Sequence, residues 1–239
     1  MLKTNCPAAP EVRPMGTRFT LLRPGTVRYQ DAWQLQQRAA EAVRDGADPT
    51  LILLKHPPVY TLGVRGRDAN LLLSLDAYAA RGAEVHRTDR GGDVTFHGPG
   101  QLVGYPILDL RRHGEGPVWY VRSIEAMLID VLARFGIVAD RSPGRPGVWV
   151  GEEKVAAIGV RVSRGVTTHG FALNVNTDLA WFRDIVPCGL PAAGVTSMQV
   201  LTGETFAMRD VEEQVVDAFA RQFDAEVAEE PTVGAAVGS

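Results

Sequence analysis

Residues 147–176 run GVWVGEEKVAAIGVRVSRGVTTHGFALNVN, and this stretch decides the fold. It consists of three apolar runs that are separated by Gly151-Glu152-Glu153 and by Ser163-Arg164-Gly165. Apolar runs of strand length that are joined by short glycine-containing turns are typical of neighbouring antiparallel strands. The stretch therefore predicts a β-meander.

Helices and further strands are predicted on the N-terminal side of this meander. Strand-like runs occupy 17–22 and 51–54, and a helical pattern lies between them over 31–44. A longer helix is predicted over about 117–135, with Gly136 as its stop, because apolar residues recur there at helical spacing: Val121, Ile124, Leu128, Val131 and Phe135. The apolar stripe of this helix is expected to pack on a sheet.

A last helix is predicted to begin at Asp210. The side chain of Asp210 is interpreted as the N-cap, and Glu213 as the residue that completes a capping box. The helix then presents Val211, Val215 and Phe219 to the core. Together the antiparallel hairpins and flanking helices predict an α/β (α+β) protein with a mixed, largely antiparallel sheet, rather than a doubly wound one.

Length and composition indicate one globular domain. The chain has 239 residues, of which 45% are hydrophobic and 22% charged, with a formal net charge of -3. We expect a flexible leader over 1–16, one globular domain over 17–228 and a flexible tail over 229–239. The net charge argues against a nucleic-acid partner, and the absence of a long apolar run argues against a membrane partner. Since no signal peptide is recognisable either, a cytoplasmic protein is expected.

Two scarce residue types suggest a catalytic pair. The chain has two cysteines, Cys6 in the predicted leader and Cys188 in the domain, and its only lysines are Lys3, Lys55 and Lys154. A thiolate is a nucleophile, and a neighbouring ammonium increases its population. Two plainer interpretations stay open, namely that Cys188 is an inert thiol and that Lys154 is a solvated turn residue.

The glycine-dense segment 90–101, RGGDVTFHGPGQ, is a candidate binding loop. Glycine lets a backbone approach a ligand and direct N–H groups at an oxygen atom, although two tight strand turns would have the same composition. The segment lacks the Gly-Lys-Ser/Thr of a phosphate loop and the glycine spacing of a dinucleotide site. His97 within it could orient a ligand or serve as a structural hydrogen-bond partner.

A second His-Gly step, His169-Gly170, lies in the last run of the meander, and the two steps could face one another. For His169 a structural role in the strand is the favoured interpretation. The other histidines are His56, His86 and His113, and they show no metal-ligand spacing with each other or with either cysteine. No zinc site is expected.

Five ordered blocks of motifs lie between about residues 50 and 200. The first two blocks are HPPVYTLG (56–63) and segment 90–101 with its sequel LVGYP (102–106). The third joins GVW (147–149) to Lys154 and AIG (157–159). The last two are THG (168–170) with Asn174, and PCGL (187–190) with VTS (195–197). Together the five blocks resemble the lipoate-pathway octanoyltransferases, a family that moves octanoyl from acyl carrier protein to a lysine of lipoyl-dependent proteins.

The resemblance implies a fold, a catalytic pair and a binding site. The fold is that of the biotin/lipoate protein ligases. The pair is Cys188, which carries an acyl thioester, and Lys154, which lowers the pKa of that cysteine. The substrate-binding residues that it implies are Arg90, Gly91, Gly92, Asp93, Val94, Thr95, Phe96, His97, Ala157, Ile158, Gly159, Gly170, Phe171 and Ala172.

The resemblance also implies partners. The donor is octanoyl-acyl carrier protein, and the acceptors are lipoyl domains of 2-oxoacid dehydrogenases and the glycine cleavage H protein. No cofactor or metal is expected, and the protein is expected to be a monomer. Arginines in loops near the motifs are candidates for a surface that binds the acidic carrier, with a solvated basic surface as the equal alternative: Arg65, Arg67, Arg87, Arg141, Arg145, Arg161 and Arg164.

Two other functions compete with this one. An ATP-dependent lipoate or biotin ligase of the same superfamily would use the loop 63–67, GVRGR, for the adenylate, although Asp68 follows where basic residues or glycines would be wanted. A non-catalytic protein that shelters a carrier-bound acyl chain is the third possibility. ATP dependence would identify the ligase, and binding without turnover would identify the shelter.

Overall fold

The computed structural model describes residues 17–186 and 194–229. The residues predicted as the leader, and those of the predicted tail after Glu229, lie outside this part. Five helices are described: α1 (Tyr29–Arg44), α2 (Leu75–Ala80), α3 (Pro117–Arg134), α4 (Met198–Thr202) and α5 (Met208–Gln222). Short 3₁₀ helices cover Asp68–Asn70, Leu110–His113 and Leu179–Asp184.

Twelve strands accompany the helices in the described ranges. They are β1 (Thr17–Thr26), β2 (Thr50–Lys55), β3 (Val59–Leu62), β4 (Glu84–Arg87), β5 (Val94–His97), β6 (Gln101–Ile107), β7 (Asp140–Ser142), β8 (Arg145–Val150), β9 (Glu153–Ser163), β10 (Val166–Asn174), β11 (Gly194–Val195) and β12 (Ala225–Glu229).

Nine of these strands form one large sheet in the order β12-β1-β2-β6-β10-β9-β8-β7, with β11 paired to β9. The pairs β12–β1, β1–β2 and β11–β9 are parallel and all the others in this sheet are antiparallel. The expected meander is β8-β9-β10, and the prediction of a mixed, largely antiparallel sheet is confirmed. A smaller sheet has the order β4-β3-β5.

Helices cover both faces of the large sheet because its central strands are apolar on both sides. In β2, Leu51 and Leu53 belong to the core cluster beneath α3 and α5, whereas Ile52 and Leu54 belong to the cluster beneath α1. Successive strand residues point to opposite faces, so one uninterrupted apolar run supplies both cores.

The helix α3 confirms the prediction for 117–135. Proline occupies its first turn, where no backbone donor is needed, and Gly136 follows its end with φ of 74°. Its buried side chains include Ile124, Leu128 and Val131, as the apolar spacing predicts.

The predicted start of the last helix was wrong. The helix α5 begins at Met208 after the N-cap Ala207, whose side chain makes no capping bond. The backbone N–H of Asp210 already donates to the Ala207 carbonyl at 3.1 Å, so Asp210 lies in the first turn. Glu213 is not part of a capping box and instead forms ion pairs with Arg209 and Arg23. Val211, Val215 and Phe219 are buried, as predicted.

The small sheet carries a core of its own, in which Tyr60, Tyr78 and Phe96 are fully buried. The 3₁₀ helix Leu179–Asp184 closes this core, because the Tyr60 hydroxyl donates to Asp184 Oδ2 at 2.9 Å and the Tyr78 hydroxyl donates to the Asp184 carbonyl at 2.6 Å.

Within the described ranges, none of the helices has both the length and the apolar character that crossing a bilayer requires.

Candidate active site

A cavity of about 680 Å³ lies where the large sheet meets the small one. Its walls come from β5, β6, β8, β9, β10 and β11 and from the loops after β3, β4 and β7. The lining residues are Tyr29, Arg65, Arg67, Asn70, Arg90, Gly91, Gly92, Asp93, Val94, Thr95, His97, Gln101, Tyr105, Val121, Gly144, Arg145, Pro146, Trp149, Lys154, Ala157, Ile158, Gly159, Val160, His169, Gly170, Phe171, Ala172, Asn174, Phe182, Gly194 and Val195.

The cavity brings together Lys154 and three of the segments that were predicted from the sequence to bind substrate. Lys154 lines the cavity, and so do the predicted substrate-binding residues of 90–97, 157–159 and 170–172, apart from Phe96. The ring of Phe96 packs instead parallel to that of Trp181, with 5.2 Å between the ring centroids, because Thr95 and His97 occupy the opposite face of β5. Cys188 lies outside the described residues.

Arg90 holds together residues 90–93, between β4 and β5, which we call the glycine-rich loop. Its buried guanidinium donates to the Thr61 carbonyl at 2.6 Å, to the Thr61 hydroxyl at 2.9 Å and to the carbonyls of Gly91 and Asp93 at 3.0 and 2.8 Å. One side chain thereby satisfies four oxygen acceptors of the loop and of β3, which fixes the loop at the edge of the cavity.

The glycine-rich loop also approaches β9 very closely. The Gly91 N–H donates to the Val160 carbonyl at 2.9 Å, and a Cβ atom on Gly159 would lie 2.9 Å from the Gly91 carbonyl oxygen. Glycine at 159 is therefore needed for packing, since any side chain would push the loop away from the sheet.

A chain of buried hydrogen bonds crosses the cavity floor, which we define as Tyr29, His97, Gln101, Tyr105, His169 and Asn174. Gln101 Nε2 donates to the Phe96 carbonyl at 3.1 Å and to Asn174 Oδ1 at 2.9 Å. Its oxygen, Oε1, therefore accepts from His97 Nδ1–H at 2.8 Å. Asn174 Nδ2 donates onward to the Thr196 carbonyl at 3.0 Å. The chain thus ties β5 and β6 to the residue that follows β11.

This chain assigns the tautomer of His97. Burial, followed by the nearby His56 and Arg90, holds the pKa of His97 well below its usual value, so the ring is neutral with its proton on Nδ1. Its Nε2 then has a free electron pair, and the Thr61 hydroxyl lies 3.4 Å away as a weak donor. His97 therefore has the role of a structural hydrogen-bond partner, which was one of its two sequence-based interpretations. Its side chain also lines the cavity.

Two further histidines are held neutral beside it. Burial lowers the pKa of His56 to about 4, its Nδ1–H donates to the Val27 carbonyl at 2.7 Å, and its Nε2 accepts from the Tyr105 hydroxyl at 2.8 Å. Burial, with Arg90 and Arg161, lowers the pKa of His169 to about 3. Its Nε2–H donates to Asp89 Oδ1 at 2.7 Å.

His169 has a backbone angle φ of 59°, which non-glycine residues seldom adopt. Its N–H donates to Gln36 Oε1 at 2.7 Å, so helix α1 stabilises this conformation. The two His-Gly steps do converge, since His97 and His169 both line the cavity.

Lys154 is half-buried, at the start of β9. Its ammonium nitrogen lies 4.7 Å from the centroid of the Trp149 ring, and its carbonyl accepts from the Thr196 N–H at 3.0 Å. The register of the sheet places Val195 of β11 beside it. The described part of the chain therefore resumes beside Lys154, at Gly194, six positions after Cys188.

Of the arginines proposed from the sequence for a carrier-binding surface, four already have acidic partners. Arg87, Arg141, Arg145 and Arg161 form ion pairs with Asp68, Glu125, Glu152 and Asp89, respectively. Arg65 and Arg67 line the cavity, are exposed, and pair with no carboxylate in residues 17–186 and 194–229. These two have charge available for an incoming anion.

Several residues of the site were not predicted from the sequence. Gln101, Tyr105 and Asn174 fall in the blocks that carry the resemblance, and that was the available signal for them. Tyr29 had none, because it opens a helix more than sixty residues before the loop that it faces. Its hydroxyl is buried, and burial raises the pKa of Tyr29 to about 12. Across residues 17–186 and 194–229, no three His, Cys, Asp or Glu side chains are grouped as metal ligands.

The chain matches a known protein family over most of its length. Residues 28–220 match the family model described as the lipoyl protein ligase A/B catalytic domain. An octanoyltransferase from Acidobacterium capsulatum is 48% identical over 219 residues, which cover 86% of this chain and 88% of that protein. The chain belongs to the octanoyltransferases of the lipoyl protein ligase A/B family.

Other octanoyltransferases are similar over the same range. The protein from Gloeobacter violaceus is 49% identical over 209 residues, which cover 86% of this chain and 90% of its own length. For the octanoyltransferase of Myxococcus xanthus the values are 48% identity and 89% of this chain, but the match spans only 62% of that longer protein.

Solved structures confirm the predicted biotin/lipoate ligase-like fold. A lipoate-protein ligase A bound with ATP superposes with a TM-score of 0.72 at 16% identity, covering 90% of this chain and 89% of that one. A bipartite lipoate protein ligase from Thermoplasma acidophilum, solved with its E2 lipoyl domain, gives 0.70 at 19% identity, with coverages of 91% and 87%. At such identities the likeness shows the fold alone, and this chain has the ligase fold.

Proposed function

We propose that this protein transfers an octanoyl group from octanoyl-acyl carrier protein to a lysine of lipoyl domains, through a thioester on Cys188. The observation that carries the proposal is the cavity of about 680 Å³, lined by Lys154 and by β11, in a chain about half identical to octanoyltransferases. A volume of this order is typical of a site for a small organic ligand.

In the first step, the Cys188 thiolate attacks the carbonyl carbon of the donor thioester. A new carbon–sulfur bond forms, the bond to the carrier's thiol breaks, and the carrier leaves as a thiolate that takes up a proton. The Lys154 ammonium favours ionisation of Cys188, because a nearby cation stabilises a thiolate. The N–H groups of Gly92 and Asp93 donate no backbone hydrogen bond in the described part, and we assign them to the developing oxyanion.

In the second step, the amine of the acceptor lysine attacks the Cys188 thioester. A carbon–nitrogen bond forms, the carbon–sulfur bond breaks, and the proton of the amine passes to solvent as the Cys188 thiolate is restored. The product is an amide, which is more stable than the thioester consumed. Since the acyl group arrives already activated, the reaction needs neither a nucleotide nor a metal.

The acyl chain is assigned to the apolar part of the cavity wall. Val94, Ile158, Phe171 and Ala172 contribute this surface. Burying the methylene groups of an octanoyl chain supplies about 5 kcal/mol at roughly 0.8 kcal/mol for each group. The cavity floor, by contrast, is built from tyrosine, histidine and amide side chains, so a longer chain would meet polar groups.

The acidic carrier is assigned to the mouth of the cavity, at Arg65 and Arg67. Of the arginines considered from sequence, these two combine a position on the cavity wall with a charge that no described carboxylate neutralises. Arg141 is a poor candidate because its guanidinium is committed to buried Glu125, with 3.1 Å between Arg141 Nε and Glu125 Oε2.

The test is to incubate the purified chain with octanoyl-acyl carrier protein and to measure the mass of the product. An adduct of one octanoyl group that hydroxylamine removes is expected for the wild type and for Cys6→Ser, and none for Cys188→Ala. Adding an apo lipoyl domain is expected to discharge the adduct and to acylate that domain.

Other outcomes contradict the proposal and identify its competitors. Acylation of the lipoyl domain from free octanoate that requires ATP and tolerates Cys188→Ala would indicate a ligase. Tight binding of octanoyl-acyl carrier protein without an adduct and without transfer would indicate a protein that shelters the acyl chain.

A further inference from the structure

The side chain of Lys154 lies in a slot formed by two residues of β8. On one side is Gly147, on which a Cβ atom would lie 3.3 Å from Lys154 Cε and 2.6 Å from the Ala156 carbonyl oxygen. On the other is Trp149, whose ring centroid is 4.7 Å from the ammonium nitrogen. The register pairs Trp149 directly with Lys154 across the two strands.

The indole ring of Trp149 is itself held in place. The residue is 3% exposed, and its Nε1–H donates to the Arg145 carbonyl at 3.1 Å. The Arg145 guanidinium also stacks on the ring, 4.3 Å from the centroid, while an ion pair with Glu152 at 3.1 Å compensates its charge. The ring is therefore a rigid surface with a fixed orientation toward the cavity.

Gly147 is anchored separately, by a residue of helix α3. Its N–H donates to Oε1 of buried Glu125 at 3.2 Å, and Oε2 of the same carboxylate accepts from Arg122 and Arg141. Helix α3 thus fixes the wall on which the Lys154 stem lies. Both sides of the slot are attached to the fold by contacts that do not involve Lys154.

We propose that Trp149 is a positioning residue of Lys154, which helps to hold the ammonium at the cavity wall through a cation–π contact. An aromatic face attracts a cation but carries no net charge, so it restrains the amine without cancelling the field that the amine exerts on a neighbouring sulfur. The consequence for catalysis rests on the proposed function, whereas the placement of the amine does not.

The placement can be measured directly, because the chain has only three lysines: Lys3, Lys55 and Lys154. With lysine labelled with ¹³C at Cε, the protein gives three Cε–Hε signals, and Lys154→Arg identifies the one from Lys154. We expect that signal to be displaced upfield by the Trp149 ring current, and to return to the usual lysine position in Trp149→Leu. Trp181→Leu is the matched control, since Trp181 also lies beneath a cation, with Arg81 Cζ 4.7 Å from its ring.

The consequence is measured on Cys188 and on turnover. In Trp149→Leu, the pH profile for iodoacetamide alkylation of Cys188 is expected to move to higher pH, and kcat to fall by about threefold to thirtyfold, the range of a cation–π contact. Trp149→Phe keeps a ring and is expected to recover part of the loss. KM for a small octanoyl thioester should change less than kcat.

The outcomes separate this inference from the proposed function. If Lys154→Met abolishes transfer while Trp149→Leu leaves the alkylation profile unchanged, Trp149 is not a positioning residue and the transferase proposal stands. If Lys154→Met transfers octanoyl normally, the role proposed for Lys154 fails. A Lys154 signal at the ordinary position in the folded wild type would overturn the inference without any variant.

Discussion

Gln101 donates a hydrogen bond to Asn174 across the β6–β10 pair, with 2.9 Å between Gln101 Nε2 and Asn174 Oδ1. The same amide accepts from His97, and Asn174 donates to the Thr196 carbonyl. The direction of every bond in this chain follows from the two donor hydrogens of Gln101. An amide at 101 is therefore needed to link His97, at the end of β5, to Thr196, which follows β11.

Replacing Gln101 with glutamate should disrupt this chain. A carboxylate cannot donate to the Phe96 carbonyl or to Asn174 Oδ1, so two buried acceptors would lose their donor, and the buried charge would keep only the hydrogen bond from His97. We expect a loss of about 3 kcal/mol in the free energy of unfolding, measured by urea denaturation. Gln199→Glu is the control, because its hydrogen bond to Thr205 is exposed, and an equal loss in both variants would contradict the prediction.

Stability should fall as the pH is lowered through the range below 6.5. His56 has a folded-state pKa of about 4, below the unfolded value, so the unfolded chain binds more protons between pH 6.5 and pH 4. His56 then contributes a slope of about 1.4 kcal/mol per pH unit, with its stability present above pH 6.5 and lost progressively toward pH 4.

This pH dependence can be tested by denaturation at pH 7, 6 and 5. Since the slope is the quantity predicted, His56→Gln should reduce it even if that variant is less stable at every pH. Val131→Ala, a cavity-forming change in the core beneath α3, should lower stability without altering the slope. Parallel curves for His56→Gln and the wild type would refute the assignment of a neutral His56.

Gly159→Ala should displace the glycine-rich loop. The added Cβ would lie 2.9 Å from the Gly91 carbonyl oxygen and 3.2 Å from Arg90 Cδ, so the loop must move to make room. We expect a stability loss of about 1–3 kcal/mol and a marked loss of octanoyl transfer. Gly116→Ser is a suitable control, because that glycine has open space around it and precedes a helix.

Reversing the charges of Arg65 and Arg67 should weaken use of the carrier-bound donor. We expect kcat/KM for octanoyl-acyl carrier protein to fall by at least about tenfold at low salt, and by less at high salt, because exposed charges are screened. A small octanoyl thioester should be used normally. The double variant Arg18→Glu/Arg38→Glu makes the same change in net charge at exposed positions outside the cavity wall. Equal effects of the two double variants would argue against a carrier site.

Much of the fold could be predicted from local pattern. The meander β8-β9-β10 follows from three apolar runs and two turns, and α3 follows from its 3.6-residue periodicity and Gly136. These features depend on residues close together in the chain, where spacing determines which side chains share a face. The start of α5 could not be predicted in this way, because Ala207 caps the helix without a side-chain signal.

The sequence by itself determined the family, the apolar periodicities and the residues from which a site could be built, since each of these is a property of residue types at given spacings. Only the tertiary structure decided that Phe96 turns into a separate core, that Arg90 holds its own loop, and that Gln101 links His97 to Asn174, 73 positions further along the chain. Such partnerships depend on strand order and register, which bring distant residues within hydrogen-bonding distance, and no local pattern specifies them.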